Sequence, residues 1–172
     1  MKNITSINVY DFDSTICISP ENTLENRAIW ESKTGKNWAY KGNGWWSKEE
    51  SLDCDVFDIE LNPPVREDCI KSIGDASVYT VLLTGRMPKF ETKIKEICKR
   101  GGIEDLDAYY FNDSHDTLKF KLGILNILKN EFPHVEEFVM WEDREEHITH
   151  FNEWGIENFG NGFKMNVIKI NK

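Results

Sequence analysis

The run Val9-Tyr10-Asp11-Phe12-Asp13-Ser14-Thr15 places two aspartates one residue apart, directly after an apolar, β-branched stretch. In a strand, residues i and i+2 face the same way. A strand over residues 4–12 therefore projects Asp11 and Asp13 together at, or just past, its carboxyl end, with Ser14-Thr15 turning the chain away. That edge is where open α/β sheets place their ligands. Two adjacent carboxylates repel, so a pair presented together shares a cation, a proton or both. The arrangement suits a Mg²⁺-assisted phosphoryl transfer in which one aspartate attacks phosphorus and the other moves protons. The plainer reading of the dipeptide is a polar turn after a strand.

Such a pair needs a sheet to hold it, and the rest of the chain alternates between strand and helix. Strands are expected at 4–12, 77–84, 108–111, 137–141 and 163–170. The first expected helix, 65–73, ends at Gly74, and the second, 88–100, has Pro88 in its first turn and Gly101-Gly102 after it. Leu118, Leu122, Leu125, Leu128 and Phe132 recur at helical spacing, which predicts an amphipathic helix over 117–132. A last helix over 144–154 buries Ile148 and Phe151 and stops near Gly155. Strands separated by helices imply a doubly wound, mostly parallel five-stranded α/β sheet with right-handed crossovers. Residues 17–64 show no clean period and are too long for an ordinary βα connection. They read as a small irregular flap or cap inserted in a single domain spanning 1–172.

Composition narrows the setting. The chain has 172 residues, 40% hydrophobic and 30% charged, which describes one globular domain with a well-buried core. No apolar run approaches the roughly 18 residues of a membrane span. The start, Met1-Lys2-Asn3-Ile4, lacks the apolar core of a signal peptide. Cys17, Cys54, Cys69 and Cys98 have neither zinc-site spacing nor the look of a disulfide framework, so a reducing cytoplasm is expected. With 30 acidic against 21 basic residues, net charge −9, the chain lacks the electropositive footprint of a protein that grips an extended duplex.

Three downstream segments join the aspartate pair. Residues 78–83 are an apolar stretch ending in Thr84-Gly85-Arg86; Thr117-Leu118-Lys119-Phe120-Lys121 opens a helix; residues 138–141 lead into Glu142-Asp143-Arg144. In this order the segments resemble the four signature motifs of the haloacid-dehalogenase-like (HAD) phosphohydrolase superfamily. Gly44-Trp45-Trp46, Leu82-Leu83-Thr84-Gly85-Arg86 and Glu142-Asp143-Arg144-x-x-His147 look like the HAD domain of Swiss-Army-knife RNA-repair proteins. The phosphatase half of phage polynucleotide kinase is a more distant likeness.

The resemblance implies roles. Asp11 is the nucleophile and a Mg²⁺ ligand, forming an aspartyl-phosphate, while Asp13 is the general acid and base and lends its backbone carbonyl to the metal. Thr84 donates to a phosphoryl oxygen, and Lys121 neutralises developing charge and restrains Asp11. Lys119, in the same helical turn, competes for that part. Asp143 completes the oxygen shell of Mg²⁺, with Glu142 acting through water. Gly85, Arg86 and Arg144 bind substrate, Arg86 with its planar fork. Plainer alternatives are a helix-capping Arg86 and an Arg144 paired with surface charge. His147 and His150, i and i+3 on one helix, lack a third metal ligand and read as structural or surface histidines, while His115, ahead of the third motif, could face the open site but is given no role. Asp53, Asp55 and Asp58 read as a solvated acidic loop.

In the superfamily, a modest flap without a full cap leaves the site open, as suits a large substrate. Only 33 positions separate Arg86 from Lys119, already filled by a helix and a strand, so the second cap position is expected to be empty. The insert carries Trp30, Trp38, Tyr40, Trp45 and Trp46, either as its own small core or as a face for bases, which stack on aromatics for roughly 1–3 kcal/mol each. The expected function is a Mg²⁺-dependent phosphomonoesterase acting on RNA or DNA ends, with dependence on a partner kinase or ligase left open. The alternatives are a phosphatase for mononucleotides or other metabolites and a non-catalytic binding module.

Overall fold

The structure, a computed structural model, describes residues 3–37 and 45–169. Trp38, Tyr40 and Gly44 lie outside the described residues. Five strands, β1 (Ser6–Tyr10), β4 (Val78–Thr84), β5 (Ala108–Phe111), β6 (Glu137–Glu142) and β7 (Phe163–Val167), form one sheet in the order β5-β4-β1-β6-β7. Every pairing within it is parallel. β1 lies at the centre, where the winding changes direction, so its carboxyl end opens onto the crevice used by ligands in such sheets.

Strand alternation sorts the side chains onto two faces. Ile7, Val9, Val81, Leu83, Phe138 and Met140 pack on one face with Leu125 and Leu128 of α4 (Thr117–Glu131) and Phe151 and Trp154 of α5 (Glu145–Phe159). Tyr10, Leu82 and Trp141 pack on the other with Val65 and Cys69 of α2 (Pro63–Gly74) and Ile94, Ile97 and Cys98 of α3 (Glu91–Arg100). Tyr10 stacks on Trp141 at 4.3 Å and donates its hydroxyl to Asp68 at 2.6 Å. The same alternation carries chemistry: Asp11 continues Ile7 and Val9, and Glu142 continues Phe138 and Met140, so both aim at α4.

Several expected boundaries move. β1 ends at Tyr10 rather than 12, because the chain coils into one helical turn in which Ile16 N–H bonds the Asp11 carbonyl and Cys17 N–H the Phe12 carbonyl. α2 starts two residues early, on Pro63 and Pro64, which lack N–H groups that a first turn would leave unbonded anyway. Pro88–Phe90 is a 3₁₀ turn before α3. α5 does not stop at Gly155. A Cβ there would lie 2.2 Å from the Phe163 ring, so this glycine admits β7 against the helix instead of ending it.

The segment 17–62 holds more regular structure than its lack of period suggests. β2 (Cys17–Ile18) pairs antiparallel with β3 (Glu60–Leu61). Between them lie α1 (Leu24–Thr34) and 3₁₀ turns at Trp45–Ser47 and Glu49–Leu52. α1 escapes the periodicity test because Trp30 is its one buried side chain. Its ends were nevertheless marked: Thr23 caps the N–H of Asn26, and Gly35 closes it with φ +67. Trp30, Trp45, Val56 and Phe57 make a small separate core. Among the described residues, no helix is long and apolar enough to cross a membrane.

Candidate active site

Asp11, Thr84 and Glu142 sit at the carboxyl ends of three adjacent strands, one past β1 and the last residues of β4 and β6. Tyr10 is in register with Trp141, which brings Asp11 beside Glu142. Lys121 lies one and two helical turns ahead of Leu125 and Leu128, on the buried stripe of α4. It reaches across to donate to Asp11 Oδ1 at 2.6 Å and to Glu142 Oε2 at 2.7 Å. Lys119 is exposed, and its backbone N–H bonds the capping Asp116 carboxylate. Only Lys121 therefore stands at the aspartate.

Glu142 uses both its oxygens. Its other oxygen accepts from the backbone N–H groups of Asp143 and Arg144, each at 3.2 Å. Burial opposes the charge on Lys121, but Asp11 and Glu142 override it and hold the ammonium charged. Glu142 likewise stays ionised, because Lys121 outweighs its burial. One ammonium does not balance three carboxylates. Asp11 is pushed well above the usual range by burial, against the pull of Lys121 and with Glu142 and Asp143 adding to the rise. Burial and Glu142 raise Asp143 to about 6. Asp11, Glu142 and Asp143 can bring one oxygen each within 4.8 Å of one another. Hard oxygen donors with surplus negative charge suit a divalent ion such as Mg²⁺, and Asp11, Glu142 and Asp143 could hold one.

Asp13 faces the same cavity from a different partner. Arg86 Nε donates to its Oδ2 at 2.8 Å and Nη2 to its Oδ1 at 2.7 Å, while Ser19 adds a bond to Oδ1 at 2.6 Å. The helical turn after Asp11 thus separates two aspartates that an unbroken strand would hold together. Nη1 of Arg86 donates to the Trp46 carbonyl at 2.9 Å and Ser51 Oγ at 2.5 Å. Every nitrogen of the Arg86 fork has a partner inside the protein, and the residue is 1% exposed. The resemblance implies that Arg86 grips substrate; in the structure its fork closes on Asp13. Thr84 is buried and its Oγ accepts from Arg86 N–H at 3.1 Å.

A cavity of about 260 Å³ opens at this edge, lined by Asp11, Asp13, Ser14, Trp46, Gly85, Arg86, Thr117, Lys121, Glu142, Asp143 and Arg144. A Cβ on Gly85 would lie 2.9 Å from Thr117 Cγ2, so glycine lets β4 exit close beside the start of α4. Arg144 is exposed on the rim. His147 is buried against Phe151. His115 and His150 are exposed, as are Asp55 and Asp58. Asp53 instead accepts the Trp30 indole N–H at 3.2 Å. Ser19 and Ser51 were missed at the sequence level: a serine in an aperiodic segment carries no local mark of the partner it will meet. A larger hollow of about 690 Å³ between the insert and the start of α3 shares no residue with the acidic cavity.

The comparisons with known proteins agree with this layout. One fold likeness is a haloacid dehalogenase-like hydrolase from Streptococcus pneumoniae, 15% identical, TM-score 0.51, covering 96% of this chain and 95% of that one. Another is an archaeal beta-phosphoglucomutase from Pyrococcus sp. strain ST 04, 14% identical, TM-score 0.56, covering 87% and 83%. At such identities the likeness is one of fold. No curated protein matches. Residues 19–172 match the family described as HAD domain family 1 in Swiss Army Knife RNA repair proteins. The match begins just past Asp11 and Asp13, and the fold places those two at the same edge as the matched Thr84, Lys121 and Asp143. The chain belongs to this family and is a phosphatase of the HAD type.

Proposed function

We propose that the protein is a Mg²⁺-dependent phosphomonoesterase that works through an aspartyl-phosphate on Asp11 and removes terminal phosphate from RNA or DNA ends. The observation that carries this reading is the buried Asp11 held by Lys121 beside Asp143, at the open carboxyl edge of the sheet.

Asp11 attacks phosphorus, and the ester P–O bond breaks as the acyl phosphate forms. The departing alkoxide takes a proton from Asp13, which then takes one from the water that hydrolyses the acyl phosphate. A carboxylate has about four acceptor sites, and Arg86 and Ser19 use three on Asp13, leaving Oδ2 a lone pair for the proton. Lys121 faces the charge that grows on the phosphoryl oxygens, the Gly85 backbone borders its path with the buried Thr84 hydroxyl behind it as the expected donor, and Arg144 supplies a rim cation. Asp11, Asp143 and the Asp13 carbonyl would hold Mg²⁺, which supplies Lewis-acid stabilisation of that charge. Glu142 holds Lys121, and its remaining acceptor site on Oε2 could reach the metal through water. This is positioning plus electrostatics, which is most of what phosphoryl transfer requires.

A cavity of about 260 Å³ lies below the roughly 300–1,000 Å³ of pockets that enclose small ligands. A cavity of that size favours a substrate whose bulk stays outside it, a polymer end over an enclosed metabolite. The test is phosphate release, with Mg²⁺ and with EDTA, from 3′- and 5′-phosphorylated single-stranded oligonucleotides and the matching mononucleotides. Preference for one oligonucleotide supports the reading and names the end; equal or better turnover of mononucleotides makes the protein a nucleotidase. Asp11→Asn is expected to lower turnover at least a thousandfold. Correct folding with no turnover by the unsubstituted protein would leave a binding module.

A further inference from the structure

Trp45 and Trp46 are neighbours in one 3₁₀ turn and go separate ways. Trp45 is 1% exposed, donates its indole N–H to the Pro20 carbonyl at 2.6 Å and meets Phe57 edge-on. Trp46 is half-buried and borders the phosphoryl cavity together with Asp13, Arg86 and Arg144. Arg86 secures it twice: the guanidinium carbon lies 5.1 Å from the ring centroid, and Nη1 bonds the Trp46 carbonyl. Among the described residues, nothing accepts a hydrogen bond from the Trp46 indole, whereas Trp30 and Trp45 have theirs satisfied.

We propose that Trp46 is a stacking platform for the nucleobase of the nucleotide that carries the scissile phosphate. The inference rests on the phosphomonoesterase reading and adds the recognition element. The cavity is smaller than pockets that enclose a small ligand, which favours a base lying at the rim, and among the described lining residues Trp46 is the aromatic ring. A ring already fixed by its neighbours loses little freedom on binding. Stacking also tolerates any base, since every base has a π-face. Arg144 on the same rim, with no ion pair among the described residues, is placed for an adjoining backbone phosphate.

The test compares an adenosine monophosphate, 3′ or 5′ as the enzyme prefers, with the abasic sugar phosphate of the same position. In Trp46→Leu, KM for the nucleotide should rise about tenfold more than KM for the sugar phosphate, and Trp46→Phe should recover most of the difference. Equal changes on the two substrates would make Trp46 a roof element and overturn the proposal. Calorimetric binding of both compounds to the Asp11→Asn protein, with and without Trp46→Leu, is the second readout. If the unsubstituted protein hydrolyses neither ester, a Trp46-dependent binding preference for the nucleotide would sink the phosphatase reading and keep the platform. Equal binding of the two compounds would sink the platform whatever the turnover.

Discussion

Two cations hold the two aspartates of this site, and they belong to different parts of the molecule. Lys121 projects from α4 into the carboxyl edge of the sheet, and both its partners, Asp11 and Glu142, come from adjacent core strands. Arg86 leaves the end of β4 and joins Asp13 to the insert through the Trp46 carbonyl and Ser51. The Lys121 side has fewer positive than negative charges and is built to accept another cation. The Arg86 side is balanced, one guanidinium to one carboxylate, and is built to fix geometry. Placing an attacking group and placing a proton carrier are thus tasks given to separate substructures, one sharing the core and the other tied to the insert.

The comparison breaks most sharply at Lys121. Lys121→Met leaves Asp11 and Glu142 buried without a counter-charge, which should cost about 3–5 kcal/mol in urea denaturation. Because the surplus charge invites a divalent ion, added Mg²⁺ should recover more stability in this variant than in the unsubstituted protein. No extra recovery would show that the carboxylates do not share a metal.

Arg86→Lys should be milder. A lysine cannot make the two parallel bonds of the fork, so the loss should be about 1.5–3 kcal/mol, with turnover falling about tenfold through kcat. Ser51→Ala, which removes only a bond on the insert side, should cost about 1 kcal/mol and much less turnover. An equal fall in turnover would mean that the insert, and not Asp13, is what Arg86 serves.

An effect of similar size to that of Ser51→Ala, seen only as pH falls, lies behind the site at His147. Burial, aided by the nearby Arg144, lowers its pKa from 6.5 to about 4, so the folded protein keeps the ring neutral while the unfolded chain takes up a proton. Its contribution is fully present above pH 6.5 and is lost as pH falls towards about 4. Between pH 7 and pH 5 the unsubstituted protein should lose about 1–2 kcal/mol more than His147→Leu. Identical pH profiles for the two in denaturant melts would rule this out.

The Lys121 side was readable in part: its edge and its acidic residues were legible, while Lys119 competed with Lys121 and the bond from Lys121 to Glu142 was not foreseen. Strand alternation directs Asp11 and Glu142 to one face, and the spacing of Lys121 with Leu125 and Leu128 sets it on the buried stripe of α4. The Arg86 side was not. An arginine after a strand-terminal Thr-Gly looks equally ready for a phosphate or a carboxylate, and only its contact with a residue 73 positions away shows which it holds. The same limit hid α1, where one buried tryptophan leaves no stripe, and prolonged α5 through Gly155, whose partner is Phe163.

By itself the sequence determined the order of strands and helices outside the insert, the two faces of the sheet, and the acidic edge at which β1, β4 and β6 end. Each of these follows from periodicity between residues only a few positions apart. The tertiary structure alone decided that Asp13 is clasped by Arg86, that Ser19 and Ser51 join them, and that of two adjacent tryptophans one is core and the other borders the cavity. Those contacts form where distant segments cross, and the crossing point depends on the packing of the whole chain, which no local pattern records.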